Sequence, residues 1–336
     1  MNYDALVKDI DTKLKPLYLI YGEEQYLVQT ALNRIKKNFG ERVLGINYVV
    51  LDESSINEII PNIQMPAFGY ERKLIIVKNS GLFKKDGRKK SASPEQEEIA
   101  NYINNNMDII LDSIVLVFIE EKVDKNIVYE QIEKNGIITN IEELKPLQLV
   151  KKLRQISSMY KVNIDDKTAN YLIEVSGTNM QNLINEIRKL IEYVGENGTI
   201  KISDVDALAT KQIDSVIFEL TDNLAVRKID KSMDVLNNLI YQKEPLQKIL
   251  ITLYNHFKKL YLCSIAINLN KDIVNALNLK PNQTFLVSKY KKQLSYFNQD
   301  ILKDILEAFV ELDYNSKIGK IDIDVGLRSV LCRYCS

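Results

Sequence analysis

Four places in this sequence carry residue types that could do chemistry. The first is the turn Gly22-Glu23-Glu24-Gln25-Tyr26, directly after an apolar run. In a domain that alternates strands and helices, the turn after the first strand is where a nucleotide phosphate is held. That takes glycines to bend the backbone around the phosphates, a lysine for the β- and γ-phosphates and a hydroxyl for magnesium. Here two carboxylates stand where anion attraction is required. They would repel a triphosphate, and they suit the positive end of a following helix. The second place is Val77-Lys78-Asn79, the end of the third apolar run, which offers no acidic pair to hold magnesium and orient water. The third is Gln181, near the start of a helix after Gly177, where an arginine would reach a γ-phosphate. An amide cannot supply that charge. Three losses at three separate places argue against nucleotide hydrolysis, so no catalytic residue is assigned.

The fourth place is Cys332-Arg333-Tyr334-Cys335, which has the spacing of half a zinc site. His256 and Cys263 lie seven apart on one helix face and could complete it. The second CxxC pair is missing, so the segment reads as a helix end with small buried residues, and neither metal nor cofactor is expected. His256 is the only histidine. It sits in an amphipathic helix between Tyr254 and Phe257 with no nucleophile indicated beside it, which argues against a catalytic role. The loop Lys84–Lys90 is basic and could touch phosphates. It reads instead as a solvated loop, offset by Glu95, Glu97 and Glu98.

The elements that must position these residues follow from pattern. Leu17 to Tyr21 is a continuous apolar run ending at Gly22, as in a strand buried on both faces. A helix is expected from about 24 to 38, with Tyr26, Leu27, Ala31, Leu32 and Ile35 on one side. Further strands are expected at 48–51, 74–77 and 114–119, with a short fifth starting at Gly136, and helices near 55–63, 94–110 and 125–134. Such alternation implies a parallel sheet covered on both faces. After Pro146 the strands are expected to stop. Helices are read at 147–160 and 165–175. Gly177 breaks the chain, and Thr178 with Gln181 makes a capping box for the next helix. That helix carries Leu183, Ile184, Ile187, Leu190, Ile191 and Val194, and Gly195 and Gly198 close it. This makes a three-helix unit with a short tail to about residue 210. The remainder is helical: one helix begins after Pro245, another spans about 300–316, and the last about 322–334.

Bulk properties bound the function. The chain has 336 residues, 46% hydrophobic and 27% charged, with 45 basic and 45 acidic residues. That suits a globular protein of two or three domains. Zero net charge argues against a stand-alone nucleic-acid binder. Three cysteines make no disulfide framework. The N-terminus has no apolar core of a signal peptide, and no apolar run is long enough to span a bilayer. A cytoplasmic protein with no membrane partner is the expectation.

The segments LYLIYGEEQYL, MPAFGYERKLIIVKN and GTNMQNLINEIRKL, with the tail motif LDYNSKIGKIDIDVGLRSVL, resemble in order the delta subunit of the bacterial DNA polymerase III clamp loader. In the tail, Asp313, Lys317 and Gly319 carry the likeness. The resemblance implies an α/β then all-α protein in three parts. These are an AAA+-like five-stranded parallel-sheet domain over 1–143, a helical lid over 144–210 and a helical collar over 211–336. It further implies a subunit with no active site of its own, within a DNA-directed DNA polymerase (a nucleotidyltransferase) of DNA replication. Its implied partners are the sliding clamp (beta), the other loader subunits through the collar, and primer–template DNA within the complex. Such a subunit grips the clamp and favours its open form while other subunits consume ATP. The implied clamp-binding element lies just before the third strand, where an apolar pair at a loop tip matches Ala67 and Phe68. Ala67 stands where a larger leucine is often found, and Met65 and Tyr70 are placed to add contact. The alternative is a degenerate AAA+ protein that binds nucleic acid or assembles another complex.

Overall fold

A computed structural model describes residues 2–84 and 92–334. The chain divides into two compact units, Met1–Glu143 and Leu144–Ser336.

The first unit runs α1 (Tyr3–Thr12), β1 (Leu17–Tyr21), α2 (Gln25–Phe39), β2 (Tyr48–Leu51), α3 (Ile59–Gln64), β3 (Lys73–Lys78), α4 (Pro94–Asn105), α5 (Met107–Ser113), β4 (Ile114–Glu120), α6 (Ile127–Asn135) and β5 (Ile137–Asn140). The strands form one parallel sheet in the order β2-β3-β4-β1-β5. The three inner strands are the most apolar because both faces are covered. Every residue of β4 is buried, as are the first four of β1. On α2, Leu27, Val28, Ala31, Leu32 and Ile35 form the buried stripe.

Two of the expected helices are broken. The helix expected at 94–110 is two, α4 and α5, separated at Asn106. There the backbone N–H and the side-chain amide both donate to the Tyr102 carbonyl. Such local bonding competes with helix propagation. The stretch expected at 55–63 is a 3-10 turn over Glu53–Glu58 that leads into α3. Asp52 caps the turn through Ser54 and Ser55, and Ser55 leaves helical geometry.

The second unit contains α7 (Pro146–Met159), β6 (Asn163–Ile164), α8 (Asp166–Ser176), α9 (Met180–Val194), β7 (Thr199–Ile200), α10 (Ile202–Leu208), α11 (Ile213–Ala225), α12 (Ile229–Tyr241), α13 (Leu246–Asn268), α14 (Ile273–Ala276), α15 (Leu286–Leu294), α16 (Gln299–Lys317) and α17 (Ile323–Arg333). Strands therefore do not stop at Pro146, because β6 and β7 pair in parallel. Each buries one isoleucine, Ile164 or Ile200. Two residues are too few to show a period in sequence. The expected short tail before residue 210 contains a fourth helix, α10. Its Val205 is buried.

The cap of α9 is Asn179, whose Oδ1 accepts from the Asn182 N–H at 3.0 Å. Thr178 is not the cap, and Gln181 bonds to Asn185 instead. The chain enters the helix one residue later than the box spacing predicts. The long helices pack around Leu253, Phe257 and Leu260 of α13, Ile305 and Phe309 of α16, and Leu327 of α17. The α16–α17 approach is close at Gly326, where a Cβ would lie 2.1 Å from Leu312 Cδ1. The stretches before and after residue 210 are joined. Gln212 N–H donates to the Val175 carbonyl, Ser215 Oγ to the Glu174 carbonyl, and Lys289 pairs with Glu174. No helix among the described residues is long and apolar enough to cross a membrane.

Candidate functional site

The turn after β1 is filled by the protein's own backbone. Gly22 has φ +135°, and a Cβ there would lie 2.2 Å from the Ile141 carbonyl oxygen. Only glycine fits, as a phosphate loop also requires, but here the neighbour is the chain leaving β5. The Gly22 N–H donates to the Glu120 carbonyl at 3.3 Å and the Glu24 N–H to the Ile141 carbonyl at 3.2 Å. Ile141 N–H returns a bond to the Tyr21 carbonyl at 2.7 Å, and Gln25 Nε2 donates to the Gly22 carbonyl. The Gly22 and Glu24 amides are thus committed, and neither is left for a phosphate. Glu24, the residue preceding α2, is buried. A carboxylate on the residue before a helix disfavours an anionic ligand there.

The end of β3 is closed in a similar way. Asn79 adopts φ +48°, and its N–H donates to the Ile119 carbonyl. The next residue, Ser80, donates both its N–H (2.8 Å) and its hydroxyl (2.5 Å) to Glu120 Oε1. Burial pushes the Glu120 carboxyl above the ordinary range, and the two Ser80 bonds oppose that rise. A cavity of about 670 Å³ opens at the ends of β3 and β4. Among its described lining residues are the carboxylates Glu53, Glu120, Glu121 and Asp124 against the cations Lys84 and Lys122. That balance disfavours a triphosphate. Beside Lys78 and Asn79, where the sequence offers no acidic pair, the structure places the Ser80–Glu120 pair. Sequence reading did not single out this pair, since nothing in spacing couples residues forty apart. Gln181 lies exposed on the first turn of α9.

The loop between α3 and β3 has the opposite character. Met65 is the C-cap of α3. The Tyr70 N–H donates to the Ala67 carbonyl at 2.7 Å, and Gly69 has φ +84°. A positive φ at the third residue of a four-residue turn is the requirement of type II. The structure has no atom within 4 Å of a Cβ at Gly69, so glycine is needed there for backbone conformation alone. The turn places Phe68 at its outer corner, 72% exposed, and Met65 is 50% exposed. Ala67 and Tyr70 are half-buried on either side. The four residues expected to act together are therefore on one short loop, with Phe68 furthest out.

The half-zinc reading does not assemble. His256 is buried, and its Nε2 lies 3.0 Å from Thr221 Oγ1 and 2.8 Å from Gln293 Oε1. Burial lowers its pKa to about 4. Cys263 is packed in the helical core and Cys332 is exposed. Cys335 lies outside the described residues, as does most of the basic loop at 84–90. Among the described residues no group of three or more His, Cys, Asp or Glu side chains could hold a metal.

A parallel sheet of this strand order, with its phosphate turn filled, followed by a long helical region, is an AAA+-like domain with helical extensions. The chain belongs to the DNA polymerase III delta subunit family. The model described as "DNA polymerase III, delta subunit" matches residues 18–155, and that described as "DNA polymerase III delta subunit, C-terminal domain" matches residues 214–334. The chain is similar to the DNA polymerase III subunit delta of Bacillus subtilis (strain 168), 24% identical over 318 residues, covering 92% of this chain and 90% of the relative. It is also similar to a probable DNA polymerase III subunit delta of Aquifex aeolicus (strain VF5), 28% identical over 319 residues, covering 90% and 86%. Among solved structures, a Bacillus subtilis DNA clamp loader delta protein shares the fold, with a TM-score of 0.73 at 23% identity over 99% of each chain.

Proposed function

We propose that this chain grips the ring-shaped sliding clamp with the Phe68 loop and favours the clamp's open form, so that the ring can be loaded onto primed DNA. The observation that carries the reading is the exposed Phe68 at the corner of a glycine-dependent turn, with Met65 beside it. An aromatic held out in water by a defined turn is a feature of binding hot spots. Opening also requires that the open ring be bound better than the closed one, because equal affinity shifts nothing.

In this reading the chain hydrolyses no ATP. The committed amides around Gly22 and the acidic cavity beside Glu120 support that part. Residues 144–210 act as a lid and 211–336 as the collar that joins other loader subunits in the cytoplasm, with primer–template DNA contacted in the assembly. The test is co-purification of the cognate clamp with the wild-type chain and with Phe68→Ala, alongside a titration with a fluorescent ATP analogue. Clamp retained equally by both proteins refutes the site. Saturable binding of the analogue refutes the nucleotide-free reading.

A further inference from the structure

The loop that carries Phe68 is tied at its base by a buried cation. Lys73 opens β3 and is 0% exposed. It lies on the strand face of Ile75 and Val77, the face that packs with Ile59 and Ile63 of α3. Its ammonium donates to the Met65 carbonyl at 3.5 Å, and among the described residues it makes no ion pair. Met65 is the residue at which α3 ends. The side chain therefore reaches back from the far end of the loop to its near end. A cation there also meets the negative end of a helix. Desolvation lowers the Lys73 pKa, which marks the cost of placing an ammonium there.

The four residues after Lys73 in β3 (Leu74, Ile75, Ile76 and Val77) are fully buried hydrophobics. A methionine of similar length would pack at position 73 without that desolvation cost. Stability alone gives no reason for a lysine. Order in the loop does, because a loop fixed before binding loses less entropy when it docks.

We infer that Lys73 is a positioning residue for clamp binding: it holds the Met65 carbonyl and thereby fixes the loop that presents Phe68. This rests on the proposed clamp site. The test uses the full chain with Lys73→Met and Lys73→Gln; the glutamine keeps a donor but is too short to reach Met65. Both are measured by thermal melting and by calorimetric titration with the cognate clamp. The chain has no tryptophan, so Phe68→Trp supplies a single indole whose anisotropy reports loop order with no clamp present.

Lys73→Met is expected to melt no lower than wild type. It is expected to weaken the clamp complex about five- to thirty-fold, the scale of ordering a few side chains, and to lower the indole anisotropy. In the Phe68→Ala background it is expected to add no further weakening. Should Lys73→Met fail to fold, Lys73→Gln carries the same comparison. A folded variant with wild-type affinity and wild-type anisotropy overturns the inference. If Phe68→Ala leaves clamp affinity unchanged, the clamp site is wrong; the anisotropy then still decides whether Lys73 orders the loop.

Discussion

Replacing Phe68 with alanine should separate binding from folding. Phe68 is 72% exposed in the free chain. An aromatic side chain buries about 150–250 Å² when fully enclosed, so about 140 Å² remains to be covered by a partner. At about 25 cal/mol per Å² this is about 3.5 kcal/mol, of which alanine keeps a part through its Cβ. The expected loss is about 2–3 kcal/mol, or about 30- to 150-fold in Kd. Folding should not respond, because the turn depends on Gly69 and Phe68 is absent from the buried core; the stability change should stay within about 0.5 kcal/mol. Calorimetric titration of the clamp, paired with urea unfolding, measures both numbers. Tyr241→Ala serves as a control, since Tyr241 is 88% exposed but belongs to the other unit. Its clamp affinity should equal that of wild type. A Phe68→Ala Kd within about twofold of wild type, well short of the tenfold that 1.4 kcal/mol represents, would refute the reasoning.

Other consequences are as concrete. Gly22→Ala forces a Cβ to 2.2 Å from the Ile141 carbonyl at φ +135°, and should cost more than about 2 kcal/mol in urea unfolding. The buried His256 has a folded pKa of about 4 against an ordinary 6.5. The unfolded chain therefore takes up a proton that the folded chain refuses, and stability should fall as pH drops from about 6.5 to about 4 and stay flat above. The full effect is about 3 kcal/mol. His256→Gln should lose that part of the slope in unfolding measured at several pH values, and an unchanged slope would reject the assignment. Asn179→Ala should cost about 1 kcal/mol as a lost cap, and Thr178→Ala markedly less. Equal losses at the two positions would restore the capping box expected from sequence.

The α/β alternation, the five strands and the long amphipathic helices were legible because periodicity and continuous apolar runs report burial directly. The breaks were less so. Asn106 and Ser55 interrupt helices through bonds to their own neighbourhood, a choice that apolar spacing does not register. The two-residue strands β6 and β7 carry no period at all. Of the candidate site, the family resemblance put Ala67 and Phe68 at a loop tip, and the structure adds the local turn, closed by the Tyr70 N–H on the Ala67 carbonyl with Gly69 at positive φ. The missing phosphate-binding residues were also readable, because a motif is a short string.

What the sequence by itself determined, then, is that the turn at Gly22 holds no lysine, the end of β3 no acidic pair and the start of α9 no arginine. Each depends only on the residue type at one place. Tertiary structure decided what stands there instead. The Ile141 carbonyl meets the turn from 119 residues away in the chain, Ser80 closes on Glu120, and Lys73 reaches back to Met65. These contacts are set by which strands become neighbours in the sheet and by which helix end covers them. Side-chain type limits what may be buried, but only the folded chain brings the partner that makes a buried amide, carboxylate or ammonium tolerable.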